Sequence, residues 1–200
     1  MPLIRIDSIT ADVRLALWHL DESAEQLLSI ITNANAIAAA TKLGNERRRR
    51  ETLAAYALLQ HITGSDTIAI RHLPSGAPKV DGWNVSISHT KGYVAVIASE
   101  TRNVAVDIEY RSNRVDKIAE RFLRSDESAT TTDERLAFWC AKETTYKYFS
   151  DSNLTFEQIR IRRAATSEDS LVADNLLNGE QISINVVQRA DYILAYTIQA

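Results

Sequence analysis

The clearest hydrophobic pattern in this chain is a set of short alternating runs interrupted by two long helical stretches. Residues 132–149 contain no Gly or Pro and are rich in good helix formers, which predicts a helix. Residues 45–62 predict a second one: Leu53, Ala54, Ala57, Leu58 and Ile62 form an apolar stripe, and Gly64 is placed to stop the helix. Upstream, 13–17 (VRLAL) alternates as a strand, Asp21 stands where an N-cap belongs, and 24–31 reads as a short amphipathic helix. Residues 34–40 are alanine-rich without clear boundaries. Strand patterns follow at 67–71, 84–88, 93–99 and 103–110, with a turn signal at 74–78 and a tight connection His89-Thr90-Lys91-Gly92. A helix is expected over 115–123. Three more strands follow at 159–163, 181–188 and 191–199, the last two as a hairpin around Arg189-Ala190.

This order of helices, strands and closing hairpin occurs twice, once over 1–101 and once over 102–200. The expected class is α+β. If the repeat is real, a ligand site would lie between two related halves, a favoured place for one.

Two carboxylates stand out against this frame. Asp107 and Glu109 are two apart on a predicted strand, so they point to one face. Like charges side by side call for a cation or a proton, and a hard divalent ion such as Mg²⁺ prefers oxygen ligands. A strand leaving the core with Arg111 and Arg114 as counter-charges explains the same pair. On the later helix, Trp139, Glu143 and Lys147 recur every four residues and share a stripe. That stripe suits a metal and a phosphate together, or a plain Glu–Lys pair on a solvated face. Ser88 and His89 end a strand before a tight turn, where an anion can bind. Ser–His hydrolysis is disfavoured, because no G-x-S-x-G elbow surrounds Ser88. The run Arg47 to Arg50 covers a full helical turn, so at most one or two of its members reach an anion. His19, His61 and His72 show no metal-ligand spacing.

Composition narrows the field without choosing within it. The chain has 200 residues, 45% of them hydrophobic and 24% charged, as in ordinary globular proteins. A net charge of -3 argues against general nucleic-acid binding. No apolar run reaches the length of a membrane span, and MPLIRIDSIT lacks the pattern of a signal peptide. Cys140 is the single cysteine, so no internal disulfide forms and a cytoplasmic home is the simplest expectation.

Three motifs in order then resemble a known family. VAVDIE at 104–109, followed about thirty residues later by WCAKETTYK at 139–147, resembles the paired signature of 4′-phosphopantetheinyl transferases, and SISHT at 86–90 resembles their upstream motif. Chain length resembles the surfactin-synthetase-activator type, with two fused, pseudo-twofold-related halves and coenzyme A between them. The resemblance implies a monomeric enzyme moving phosphopantetheine from coenzyme A to a serine of an apo acyl or peptidyl carrier protein, with release of adenosine 3′,5′-bisphosphate. It implies that Asp107, Glu109 and Glu143 hold Mg²⁺, that Lys147 meets the pyrophosphate, and that Ser88 and His89 bind the 3′-phosphate. It also places Lys142 at the cofactor and asks for one arginine of the 47–50 run, here taken as Arg50. Within that reading Glu143 is the base for the incoming serine. Carrier proteins are usually acidic, and Arg111, Arg114, Lys117, Arg121 and Arg124, against Asp116 and Glu120, form a basic stretch to receive one.

Two positions depart from the family pattern. Ala105 stands where Gly is usual, and Ala77 stands where the family has the lysine of Gly-Lys-Pro; Lys79, two residues on, is the candidate substitute. Two other readings follow from the same residues. One is a non-catalytic protein that binds coenzyme A or a carrier on this fold, and Ala77 is its support. The other is an Mg²⁺-dependent phosphohydrolase, which leaves SISHT and most of WCAKETTYK unexplained.

Overall fold

A computed structural model describes residues 3–165 and 169–198, and it divides the chain into two compact units, Met1–Arg102 and Asn103–Ala200. Each unit is a layer of helix on antiparallel sheet, so the architecture is α+β.

In the first unit the elements are β1 (Leu3–Ser8), β2 (Val13–His19), α1 (Ala24–Ile30), α2 (Ala34–Thr41), α3 (Glu46–Thr63), β3 (Arg71–His72), β4 (Pro78–Lys79), β5 (Asn84–Thr90) and β6 (Tyr93–Ser99). The main sheet runs β1-β2-β6-β5, all antiparallel. Helix α3 begins where Asn45 accepts the Arg48 backbone N–H at 3.1 Å and ends at Gly64, whose φ of 71° suits a residue without Cβ. Its Leu53, Ala54, Leu58 and Leu59 pack with Trp18, Val94 and Val96 into one core. Helix α1 is capped by Ser23, in a reciprocal capping box with Gln26, and not by the expected Asp21, which ion-pairs with His19 at 3.1 Å. The expected strand at 67–71 reduces to the two residues of β3.

The second unit contains β7 (Val104–Tyr110), α4 (Ala119–Phe122), α5 (Thr132–Tyr148), β8 (Ile159–Arg163), β9 (Ser170–Asn175), β10 (Gln181–Gln188) and β11 (Tyr192–Ile198). Its sheet order is β7-β11-β10-β9-β8. The expected helix over 115–123 is a 3₁₀ turn, Val115–Ile118, running into the single turn α4. The last residue of the strand expected at 191–199, Gln199, lies outside the described residues. In the first unit β2 pairs with the last strand and the penultimate strand follows, β2-β6-β5, with β1 outside β2; in the second unit β7 pairs with the last strand in the same way, β7-β11-β10. Among the described residues no helix is long and apolar enough to cross a membrane.

Helix α5 is the scaffold of the second unit. Thr131 accepts the Glu134 N–H at 3.2 Å, while Glu134 accepts the backbone N–H of Thr130 at 2.7 Å and of Thr131 at 3.1 Å. These donors hold the Glu134 carboxyl down at about 2. On the sheet side the Cys140 thiol points to the Ile193 carbonyl at 3.7 Å and the Thr144 hydroxyl donates to the Ala195 carbonyl at 3.2 Å, tying the helix to β11. Thr131→Ala is expected to cost about 1 kcal/mol in denaturant unfolding. A carboxyl depressed from 4.5 to about 2 contributes stability at neutral pH that is lost as pH falls through that window. The difference in stability between wild type and Glu134→Gln is therefore expected to shrink from pH 6 to about pH 2, read by denaturant titration at each pH.

Candidate active site

The period of a strand puts Asp107 and Glu109 on one face of β7, and α5 supplies the groups that meet them. Asp107 is 5% exposed. The Lys147 amine donates to its Oδ1 at 2.7 Å and to the Val106 carbonyl at 3.1 Å. Trp139 Nε1 donates to Glu109 Oε1 at 3.3 Å. Glu143 lies one turn from each, and its carboxyl is pushed up to about 7, first by burial and then by the negative fields of Asp107 and Glu109, with Lys147 pulling the other way. The expected stripe of Trp139, Glu143 and Lys147 therefore faces the two carboxylates.

The three carboxylates form a donor set of the hard, all-oxygen kind that divalent ions of the Mg²⁺ type prefer, and the single Lys147 ammonium leaves excess negative charge for a cation to balance. As the side chains stand, no three His, Cys, Asp or Glu groups among the described residues converge on one metal position. The set fits such an ion by chemistry rather than as a ready-made cage. Ala105, 0% exposed, accommodates its extra methyl within β7.

Beside Glu143 lies a cavity of about 490 Å³. Glu143 and Tyr146 of α5 form one wall, Arg121 of α4 a second, and Leu154, Thr155, Phe156 and Glu157 a third. Trp139 sits behind them, with Phe122 and Phe156 at ring-centroid distances of 5.1 and 5.4 Å in tilted, edge-on packing.

Lys142 corrects the expectation drawn for it. It is 0% exposed, and its amine is engaged by Glu127 Oε2 at 3.0 Å and by the carbonyls of Phe156 at 3.1 Å and Ile159 at 2.7 Å. An ammonium has three protons, and here each has an acceptor inside the protein. Helical geometry is the reason: one residue before Glu143, Lys142 turns about 100° away from it, toward β8.

The first unit holds a separate cavity of about 500 Å³, lined among others by Arg48, Glu51, Tyr56, His72, Pro78 and His89. Arg48 approaches His89 Nε2 at 3.3 Å, and the buried Glu51 faces His89 Nδ1 at 3.5 Å. Arg50, the arginine singled out from sequence, instead donates to the Leu20 carbonyl at 2.6 Å, so Arg48 is the member of the run that reaches the cavity. Strand β5 continues through Thr90, which leaves Lys91-Gly92 as the connection and places Ser88 and His89 on opposite faces of the strand. Ser88 is buried, and His89 is the one that lines the cavity. Ala77 brings no charge to the cavity rim, and Lys79 is exposed and stands outside its lining.

The basic stretch divides in the same way. Arg111 is taken up by Asp133 and by the Arg189 carbonyl at 2.6 Å, and Arg124 by Asp126 at 2.9 Å. Arg114, Lys117 and Arg121 are exposed. Sequence reasoning included Arg48 in the 47–50 run but chose Arg50 from it, and it missed Glu127 and Tyr146. Arg48 had a signal, since Thr52 and Ala55 follow it at i+4 and i+7 on the same helix face, whereas the pairing of Glu127 with Lys142 left no trace in spacing.

Comparison with the curated proteins finds no match. The family model described as the 4′-phosphopantetheinyl transferase superfamily matches residues 103–197, which takes in both carboxylates of β7, all of α5 and the cavity beside Glu143. That stretch of the chain is a 4′-phosphopantetheinyl transferase superfamily domain.

Proposed function

We propose that this protein transfers 4′-phosphopantetheine from coenzyme A to a serine of an apo carrier protein. The observation that carries the reading is the juxtaposition of Glu143 with Asp107, Glu109 and Lys147 inside a domain of that superfamily. Asp107, Glu109 and Glu143 would hold Mg²⁺. When bound, the ion supplies neutralisation of charge on the pyrophosphate oxygens. Lys147, freed from Asp107 by the incoming ligand, places its ammonium at the same oxygens. Glu143 takes the proton of the carrier's serine, whose oxygen bonds to the phosphorus of phosphopantetheine. The bond from that phosphorus to the pyrophosphate bridging oxygen breaks, and adenosine 3′,5′-bisphosphate leaves. The cavity beside Glu143 accepts the reacting ends, and Arg114, Lys117 and Arg121 receive an acidic carrier. Within the first unit, Arg48 and His89 would offer a phosphate a site of their own.

We read the two units as copies of one ancestral fold, as in the surfactin-synthetase-activator type. Support comes from the shared strand path and from one long helix packed on two paired strands of each, α3 on β2 and β6 and α5 on β7 and β11. The alternative is a protein that binds coenzyme A without transfer, favoured by the absence of a lysine at Ala77.

Incubation with coenzyme A, Mg²⁺ and an apo carrier, followed by weighing the carrier, separates the two. A gain of one phosphopantetheine is expected, lost in Asp107→Ala and reduced by about a hundredfold in rate in Lys147→Met, the usual scale for one charge-stabilising donor. Coenzyme A binding with no mass gain on any carrier type would instead favour the alternative. Charge reversal at Arg114 and Lys117 to Glu is expected to raise KM for the carrier severalfold and to flatten its salt dependence, with kcat little changed.

A further inference from the structure

The buried pair of Lys142 and Glu127 has a job that the reaction as proposed does not use. Both side chains are 0% exposed. A buried ion pair returns little net stability compared with apolar residues of the same volume, so its presence asks for another explanation. The explanation lies in what the two side chains bridge. Glu127 Oε2 accepts the backbone N–H of Arg124 at 2.9 Å, two residues past the end of α4, and Glu127 Oε1 accepts the Ile161 N–H on β8 at 2.6 Å. Lys142 projects from α5 and binds the carbonyls of Phe156 and Ile159. These contacts join the three walls of the cavity beside Glu143: the α4 wall with Arg121, the α5 wall with Glu143 and Tyr146, and the segment from Leu154 to Glu157.

We infer that Lys142 is a positioning residue, which together with Glu127 fixes the spacing of these walls around Glu143 without touching coenzyme A. Trp139 assists from the same helix, since its ring lies against Phe122 of α4 and Phe156 of the third wall. Within the motif, then, Trp139 and Lys142 hold the cavity while Glu143 and Lys147 act in it. All three ammonium protons of Lys142 are taken by Glu127, Phe156 and Ile159, which leaves none to donate to a phosphate.

The inference rests on the transferase reading, and its test keeps the two apart. The full chain is compared with Lys142→Met, the milder Glu127→Gln, and the double variant Lys142→Met/Glu127→Met, which replaces the pair by apolar side chains. Three quantities are measured: coenzyme A affinity by calorimetry, turnover by carrier mass, and amide exchange over residues 124–127 and 154–159 by mass spectrometry. Lys142→Met and Glu127→Gln are expected to leave coenzyme A Kd within about threefold, to lower kcat by about ten- to a hundredfold, and to speed exchange in both segments. The double variant is expected to regain thermal stability while kcat stays low, because no donor returns to the Phe156 carbonyl. A Kd raised by more than about tenfold in Lys142→Met with exchange unchanged would make Lys142 a ligand contact and overturn the inference. Recovery of both stability and kcat in the double variant would reduce the pair to a structural filler and overturn it equally. Absence of turnover in the wild type would sink the transferase reading, while exchange in the two segments still decides whether Lys142 positions them.

Discussion

A carboxylate buried on a strand must find a countercharge, and in the second unit that requirement organises the site. Asp107 meets it with Lys147, whose amine also takes the Val106 carbonyl. The amine can be there only because α5 lies across β7 and β11, fixed by Cys140 and Thr144 on the sheet side. One cation against Asp107, Glu109 and Glu143 leaves negative charge in excess. Burial first, and that excess next, hold the proton on Glu143 up to about 7. In the transferase reading proposed above, that proton is the one a bound cation would displace.

Periodicity made the frame of this fold legible. Strands β5, β6, β7, β8 and β10 and helices α3 and α5 stand within a few residues of where alternation or helical spacing puts them, because each buries one continuous face. What escaped lacked such a face. In β9, SLVADN ends in Asp174 and Asn175, polar residues buried on partners elsewhere, including Arg160 and Arg162 on Asp174. The segment at 115–123 has helical spacing but its first turn closes as 3₁₀, with Asp116 drawn to Arg135 and Thr132 instead of supporting its own helix.

The site was legible to the extent that side-chain direction follows from period. Asp107 with Glu109, and Trp139 with Glu143 and Lys147, could be aligned on strand and helix from spacing alone. Lys142 could not, since a motif read as a string treats its residues as equal, whereas a helix distributes neighbours by about 100° each. The same geometry separates Ser88 from His89 on a strand. Arg48 and Arg50, two apart on α3, likewise diverge, one to the cavity and the other to the Leu20 carbonyl.

Cys140 gives the joint between α5 and β11 a chemical label. Its thiol is wholly buried and held in the neutral form by burial first and by Asp107 next, so it is inert while the helix stays down. A thiol reagent added to the folded protein would therefore react only at moments when α5 lifts from the sheet. The rate of that labelling is a clock for opening of the layer that carries Glu143 and Lys147, available in the natural chain without any engineered probe.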